Sequence, residues 1–173
     1  MNQTIEAILS RHSVRQFTGE AVPEAVIDTL LRAGMAAPSA VNVQPWSFIV
    51  VTDRDIMQEL CALLPYAKML DKAGAAIIVC GLPGKDAQWA KDFWPIDGSA
   101  ASENILLAAH ALGYGAVWTA VYPDEKRADA VRKACGIPET AIPLNVIPIG
   151  VPLNPGAKPL DKYNPENIHR NTW

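Results

Sequence analysis

The chain has 173 residues, half of them hydrophobic and 19% charged, with a formal net charge of −3. That length carries one domain with a substantial core and is short for two, and the composition excludes a disordered chain. The acidic balance, without any dense Lys/Arg run, excludes the electrostatic footprint of a nucleic-acid binder.

Ile5, Ile8 and Leu9 recur at helical spacing and predict a short helix leading into the polar segment Arg11-His12-Ser13-Val14-Arg15. In an extended backbone Arg11, Ser13 and Arg15 share one side, because side chains alternate across a strand. They present two guanidiniums and a hydroxyl to an anion such as a phosphomonoester. A second helix is predicted from Pro23-Glu24 through Val26, Ile27, Leu30 and Leu31, ended by Pro38. The segment Ala37-Pro38-Ser39-Ala40-Val41-Asn42-Val43-Gln44-Pro45-Trp46 follows. Its Asn42 and Gln44 amides both donate and accept, which suits a heterocycle edged with carbonyls and ring N–H groups. Together the two polar segments suggest a bound flavin.

Residues 46–51 read as a buried strand, and Asp53 as the cap of a helix carrying Ile56, Met57, Leu60 and Leu64. A second apolar strand is predicted over 75–80, broken by Gly81-Leu82-Pro83-Gly84. The aromatic-rich stretch that follows, with Trp89, Phe93 and Trp94, makes residues 81–95 a candidate lid over a pocket. A long, deeply buried helix is predicted over 97–112, capped by Asp97 or Ser99. Then come a third strand over 116–121, a helix over 124–135 closed by Gly136 and Pro138, and a fourth strand over 144–151. Long apolar strands between helices indicate an α/β sandwich with its sheet covered on both faces. Prolines at 155, 159 and 165 leave residues 152–173 as an extended tail suited to wrapping over another subunit.

Rival motifs fail. Gly81-Leu82-Pro83-Gly84-Lys85-Asp86 lacks the first Gly and the closing Ser/Thr of a phosphate loop, and Gly113-x-Gly115 lacks the third Gly of a dinucleotide fingerprint. His12, His110 and His169 are dispersed without metal-ligand spacing, so no metal is expected, and His110 reads as a satisfied structural histidine. Cys61, Cys80 and Cys135 form neither a disulfide framework nor a paired-cysteine motif. With no secretory leader pattern and no run near the roughly 18 apolar residues of a membrane span, a reducing, cytoplasmic location is expected.

Joined by the stretch from Asp97-Gly98 to Asn104 and by Gly113-Tyr114-Gly115, the two polar segments resemble in order and spacing the FMN-dependent nitroreductases, over about residues 5–151. The resemblance implies an α/β (α+β) three-layer sandwich: a mixed central sheet flanked by helices, with an extended C-terminal arm. It implies one domain, residues 1–173, with the arm at 152–173 crossing to a partner, and a homodimer holding FMN at the subunit interface. Arg11, His12, Ser13 and Arg15 would hold FMN from one subunit, and Pro38, Ser39, Asn42 and Gln44 would line it from the other. Trp118 and Thr119 would approach the ring beside Gly113-Tyr114-Gly115, with Trp118 equally suited to the core. Lys162 or Arg170 would meet the phosphate, Arg170 preferred for its fork.

No catalytic side chain is implied, because flavin N5 carries the chemistry between NADH or NADPH and a nitroaromatic, quinone or similar small acceptor, by ping-pong exchange. Two further readings stay open. One is a related flavin enzyme for reductive dehalogenation or flavin breakdown; the other is a non-catalytic flavin sensor or storage protein.

Overall fold

The run Ala75-Ala76-Ile77-Ile78-Val79-Cys80-Gly81 is apolar on both faces and forms β2 (Ala75–Gly81), every residue of which is buried. In the computed structural model, which describes residues 2–156 and 159–173, β2 lies between β1 (Trp46–Val51) and β5 (Ile142–Gly150). Two short strands, β3 (Gly115–Ala116) and β4 (Thr119–Ala120), pair with the far side of β5.

Alternation along β2 sorts its side chains into two cores. Ala76, Ile78 and Cys80 pack with Met57 and Leu60 of α3 (Arg54–Leu63) and with Ala128 and Val131 of α5 (Glu125–Cys135). Ala75, Ile77 and Val79 pack with Ile27 and Leu30 of α2 (Glu24–Met35) and with Trp94, Ile105 and Ala109 of α4 (Ala90–Ala111). The remaining helix, α1 (Gln3–Ser10), contacts α4 and buries no residue fully. The sheet covered on both faces that the pattern indicates, and the three-layer α+β sandwich that the resemblance implies, are therefore present.

The sheet departs from expectation in its direction. Every strand pair among the described residues is antiparallel, where a mixed sheet was expected. Helices between strands do not force parallel pairing if the chain retraces its path. The chain leaves β1 at Val51, passes through α3, about 15 Å long, and comes back through residues 64–74 so that Ala76 pairs with Val51, at the end where β1 stopped. β1 is also an edge strand rather than a buried one: only Trp46 and Val51 are buried along it.

The third strand predicted over 116–121 is split. β3 and β4 flank the unpaired Val117 and Trp118, and Pro148 of β5, opposite this gap, brings no N–H to the ladder.

The predicted caps hold where the side chain is local. Asp53 Oδ1 accepts from the N–H groups of Asp55 and Ile56 at 2.9 and 3.1 Å; Asp124, expected as the first residue of its helix, is instead its cap, with Oδ1 accepting from Arg127 N–H at 3.1 Å. Gly136 closes α5 with φ +63°.

α4 is the larger correction. It begins at Ala90 and runs through Pro95 for 22 residues, so neither Asp97 nor Ser99 caps it. Pro95 removes one helical N–H, but the adjacent Trp94 is buried against Gly81, where an added Cβ would fall 1.8 Å from the indole. Packing of that ring holds the first turns of the helix, and it makes Trp94 a core residue.

After β5 the chain makes a bridge from Phe17 to Pro152, and Leu153 N–H donates to Gln16 O at 2.9 Å. The described tail is exposed and without α-helix, as expected; Ala157 and Lys158 of the expected arm lie outside the described residues. No helix among the described residues is long and apolar enough to cross a membrane.

Candidate functional site

Two structural anchors set the first polar segment. Arg11 N–H closes α1 on Ala7 O at 3.0 Å, and Val14 N–H donates to Ala116 O at 3.0 Å. Val14 lies on Gly115, where an added Cβ would stand 2.6 Å from it, so only glycine allows this approach. Between the anchors no helix or strand forms. Ser13 and Arg15 are exposed, Val14 is half-buried inward, and Arg11 is half-buried with Nε 3.0 Å from Glu103 Oε1 of α4. The bond to Nε leaves both terminal NH₂ groups of Arg11 for another anion.

His12 is half-buried. Its Nδ1 is 3.1 Å from Ser10 O, and its ring meets His110 edge-on at 6.0 Å. Ser10 Oγ donates to Glu6 O at 2.7 Å, so its 2.7 Å contact with His110 Nε2 makes the imidazole the donor. Burial lowers the His110 pKa, and the positive charges of His12 and Arg11 lower it further. His110 is thus the satisfied histidine its helix position suggested.

The second segment is strained. A 3₁₀ turn at Ala40–Asn42 leads into a run in which Val41, Asn42 and Gln44 have φ of +49°, +57° and +54°. Asn tolerates this region, whereas a β-branched Val does so rarely. Such conformations cost on the order of 1–3 kcal/mol each and persist only when their surroundings fix them.

The fixing contacts are identifiable. Ala40 N–H donates to Asp97 Oδ1 and Oδ2 at 3.2 and 3.3 Å, Gln44 N–H to Ser39 Oγ at 2.9 Å, and Lys85 Nζ to Gln44 O at 2.7 Å. Gln44 Nε2 donates to Asn42 Oδ1 at 3.3 Å, and both side chains are exposed, as is Pro38. Beside Gln44 opens a cavity of about 320 Å³ bordered by Met35, Trp46, Phe48 and Lys85. Burial raises the Asp97 pKa, opposed by the Ala40 N–H.

The other expected residues divide. Thr119 is buried and its hydroxyl donates to Val146 O at 2.6 Å, while Trp118 is half-buried against the α2/α4 core. Lys162 and Arg11 border the same cavity, about 520 Å³, between α1 and the tail; Arg170 is exposed further along it. Among the described residues no hydrogen bond or ion pair joins residues 11–15 to residues 38–44 within the chain.

Asp97, Lys85 and Glu103 are the residues that sequence reasoning did not assign to the site. Asp97 carries a signal, a carboxylate beside an apolar helical stretch, but the same pattern fits an N-cap. Lys85 and Glu103 are solvated charges by pattern, and only their partners distinguish them.

On a three-layer α+β scaffold, then, the surface presents guanidiniums for an anion and an amide edge for a heterocycle. The model of the Nitroreductase family matches residues 8–79 and 62–151. A protein of Methanothermobacter thermautotrophicus named "Putative NADH dehydrogenase/NAD(P)H nitroreductase" is 46% identical over 170 residues, 98% of this chain and 87% of that one. A crystal structure of a protein with the same name from Parabacteroides distasonis superposes with a TM-score of 0.95 at 48% identity, covering 100% of both chains. An "FMN-dependent Nitroreductase" from Clostridium difficile superposes at 0.88 with 25% identity, over 98% of this chain and 99% of that one. The chain belongs to the nitroreductase family.

Proposed function

We propose that the protein is an NAD(P)H-dependent oxidoreductase that holds FMN at the interface of a homodimer and reduces a nitroaromatic, quinone or similar small acceptor by ping-pong exchange. The observation that carries this reading is the strained run at residues 41–44, pinned by Asp97, Ser39 and Lys85 with the amides of Asn42 and Gln44 turned outward. Strain held at such a surface loop, with its polar groups displayed rather than satisfied inside, is a mark of a binding site. The C. difficile relative named for FMN supports the same ligand.

The donor set fits the group. Arg15, Ser13 and the terminal NH₂ groups of Arg11 suit its phosphate and ribityl hydroxyls, with Lys162 or Arg170 adding charge from the tail. Asn42 and Gln44 suit the carbonyls and N–H of the pyrimidine edge. Thr119 fits poorly as a direct ligand, since its hydroxyl is committed to Val146 O.

Residues 11–15 and 38–44 have no polar link within one chain, which supports a site completed by a second copy. Ile5, Ile8, Leu9, Met35, Ile96 and Leu112 are exposed on α1, α2, α4 and the end of α4, an apolar surface suited to burial in a dimer. In this reading residues 1–173 form one domain and 152–173 cross to the partner. FMN bound there supplies the two-electron chemistry between NADH or NADPH and the acceptor. The protein orients the ring, supplies the charge that retains it and excludes water from one side.

The test is the visible spectrum of the purified protein, before and after anaerobic addition of NADH or NADPH. A flavin band that bleaches with either donor supports the reading, and parallel double-reciprocal plots with a quinone support ping-pong exchange. A colourless protein that takes up no added FMN overturns it.

A further inference from the structure

We propose that Asp97 and Lys85 are positioning residues of the flavin site: they clamp the strained loop 40–44 from its two ends and hold Asn42 and Gln44 in their binding geometry. The inference rests on the reading that this loop lines FMN.

The geometry is that of a two-point clamp. At the entrance, Asp97 is 5% exposed, and the contacts of its carboxylate are with Ala40 N–H, at 3.2 and 3.3 Å. A carboxylate is costly to bury, and an α4 helix built only for packing would carry an apolar residue here. Gly98 permits the placement: an added Cβ would stand 2.9 Å from Leu144, so glycine lets α4 lie close on β5 and brings Asp97 up to the loop. The preceding chain is fixed as well, by Asn104 Nδ2 donating to Ala33 O at 3.0 Å.

At the exit, Lys85 Nζ donates to Gln44 O at 2.7 Å from the 3₁₀ turn Pro83–Lys85. Between the two clamps lie Val41, Asn42 and Gln44, all left-handed. Ser39 Oγ ties the loop across its own neck at Gln44 N–H. Without the outer contacts the loop gains by relaxing toward ordinary backbone, and Asn42 and Gln44 leave the position in which both face outward.

The experiment uses FMN and riboflavin, titrated into the apo-protein by flavin fluorescence, with urea midpoints for each variant. Loss of a hydrogen bond to a charged group corresponds to roughly tenfold in affinity, and Asp97→Ala and Lys85→Met are each expected to weaken FMN by about that factor. Asp97→Asn, which keeps an oxygen for Ala40 N–H, and Lys85→Arg, which keeps a donor for Gln44 O, should recover affinity to within about threefold of wild type. Val131→Ala, in the opposite core layer, should lower the urea midpoint and leave flavin affinity unchanged.

Riboflavin separates a clamp from a direct phosphate contact. Lys85→Met should weaken riboflavin and FMN by the same factor, and a loss confined to FMN overturns the clamp at Lys85. Should Asp97→Ala fail to fold, Asp97→Leu, which fills much the same space without accepting from Ala40 N–H, is read in its place. The clamp is overturned if Asn42→Ala weakens FMN while the folded Asp97 and Lys85 variants bind like wild type. If Asn42→Ala and Gln44→Ala also leave FMN affinity unchanged, the placement of the loop at the flavin fails, and the clamp with it.

Discussion

Asn145 of β5 donates from Nδ2 to Ser102 Oγ of the overlying α4 at 2.8 Å, and Ser102 in turn donates to Gly98 O at 2.7 Å. Both residues are fully buried, and Asn145 Oδ1 has no partner among the described residues. The pair therefore joins β5 to the long helix through one half of the amide, with Oδ1 left as its unpaired half.

Ser102→Ala should leave the Asn145 amide wholly unpartnered and lower stability by about 1–3 kcal/mol, the cost of an unsatisfied buried polar group. Replacing both, as Ser102→Ala with Asn145→Leu, should recover much of that loss, because no orphaned amide remains. Urea unfolding of the two single variants and the double variant measures the coupling.

His110 gives the protein a dependence on pH. Its folded pKa lies below the ordinary imidazole value of about 6.5, mainly through burial and then through His12 and Arg11. As pH falls below that value the unfolded chain takes up the proton first, so the contribution of His110 is fully present above it and is lost on acidification. The urea midpoint of wild type relative to His110→Gln should be level at pH 8 and decline from about pH 6.5 downward. A difference that stays constant from pH 8 to 5 would show that the ring titrates normally.

Asp97 has the opposite sign. Burial raises its folded pKa above that of the unfolded chain, so the native state binds the proton more tightly. Its contribution is greatest below the unfolded value of about 3.9 and is lost as pH rises through the folded one. Relative to Asp97→Asn, wild type should therefore lose stability on going from pH 4 toward neutrality, as measured by urea midpoints across that range.

Arg15 is exposed and has no ion pair among the described residues, whereas Arg11 is tied to Glu103. Arg15→Ala should consequently leave folding almost unchanged while weakening FMN by about tenfold, the loss of one charge-assisted pair. Turnover per bound flavin should stay near wild type, since in the proposed site the residue acts by retaining the cofactor at its phosphate and ribityl end. Comparing the FMN dissociation constant with kcat at saturating FMN separates the two effects; a fall in kcat alone would reject this role.

Much of this was legible from the chain. Hydrophobic spacing placed the helices now seen as α1, α2, α3 and α5, and the Asp53, Asp124 and Gly136 caps are local contacts that a short window of sequence contains. The misreadings share a cause. Asp97 and Ser99 have the look of a helix start, because the residue that holds the helix ahead of them, Trp94, does so by packing on Gly81, a contact that helical periodicity does not record. Asp97 likewise looked like a cap because its partner, Ala40, is 57 residues distant. Strand direction and the gap between β3 and β4 depend on the route of residues 64–74 and on Pro148, neither of which periodicity records.

The Trp94 contact makes a further test. An alanine Cβ at position 81 would lie 1.8 Å from Trp94 Cε3 and 2.4 Å from Cδ2, distances that backbone and ring must relieve together. The indole also meets Tyr122 edge-on with ring centroids 4.8 Å apart, a contact that any turn of the ring must break. Gly81→Ala should therefore cost about 3 kcal/mol or more, at the upper end for overpacking. Trp94→Ala alone should also destabilise, but Gly81→Ala added to it should cost little, since the clash is gone. A double-mutant cycle by urea unfolding reads this directly: strong non-additivity places the indole against residue 81, and additive losses would mean that α4 starts after Pro95.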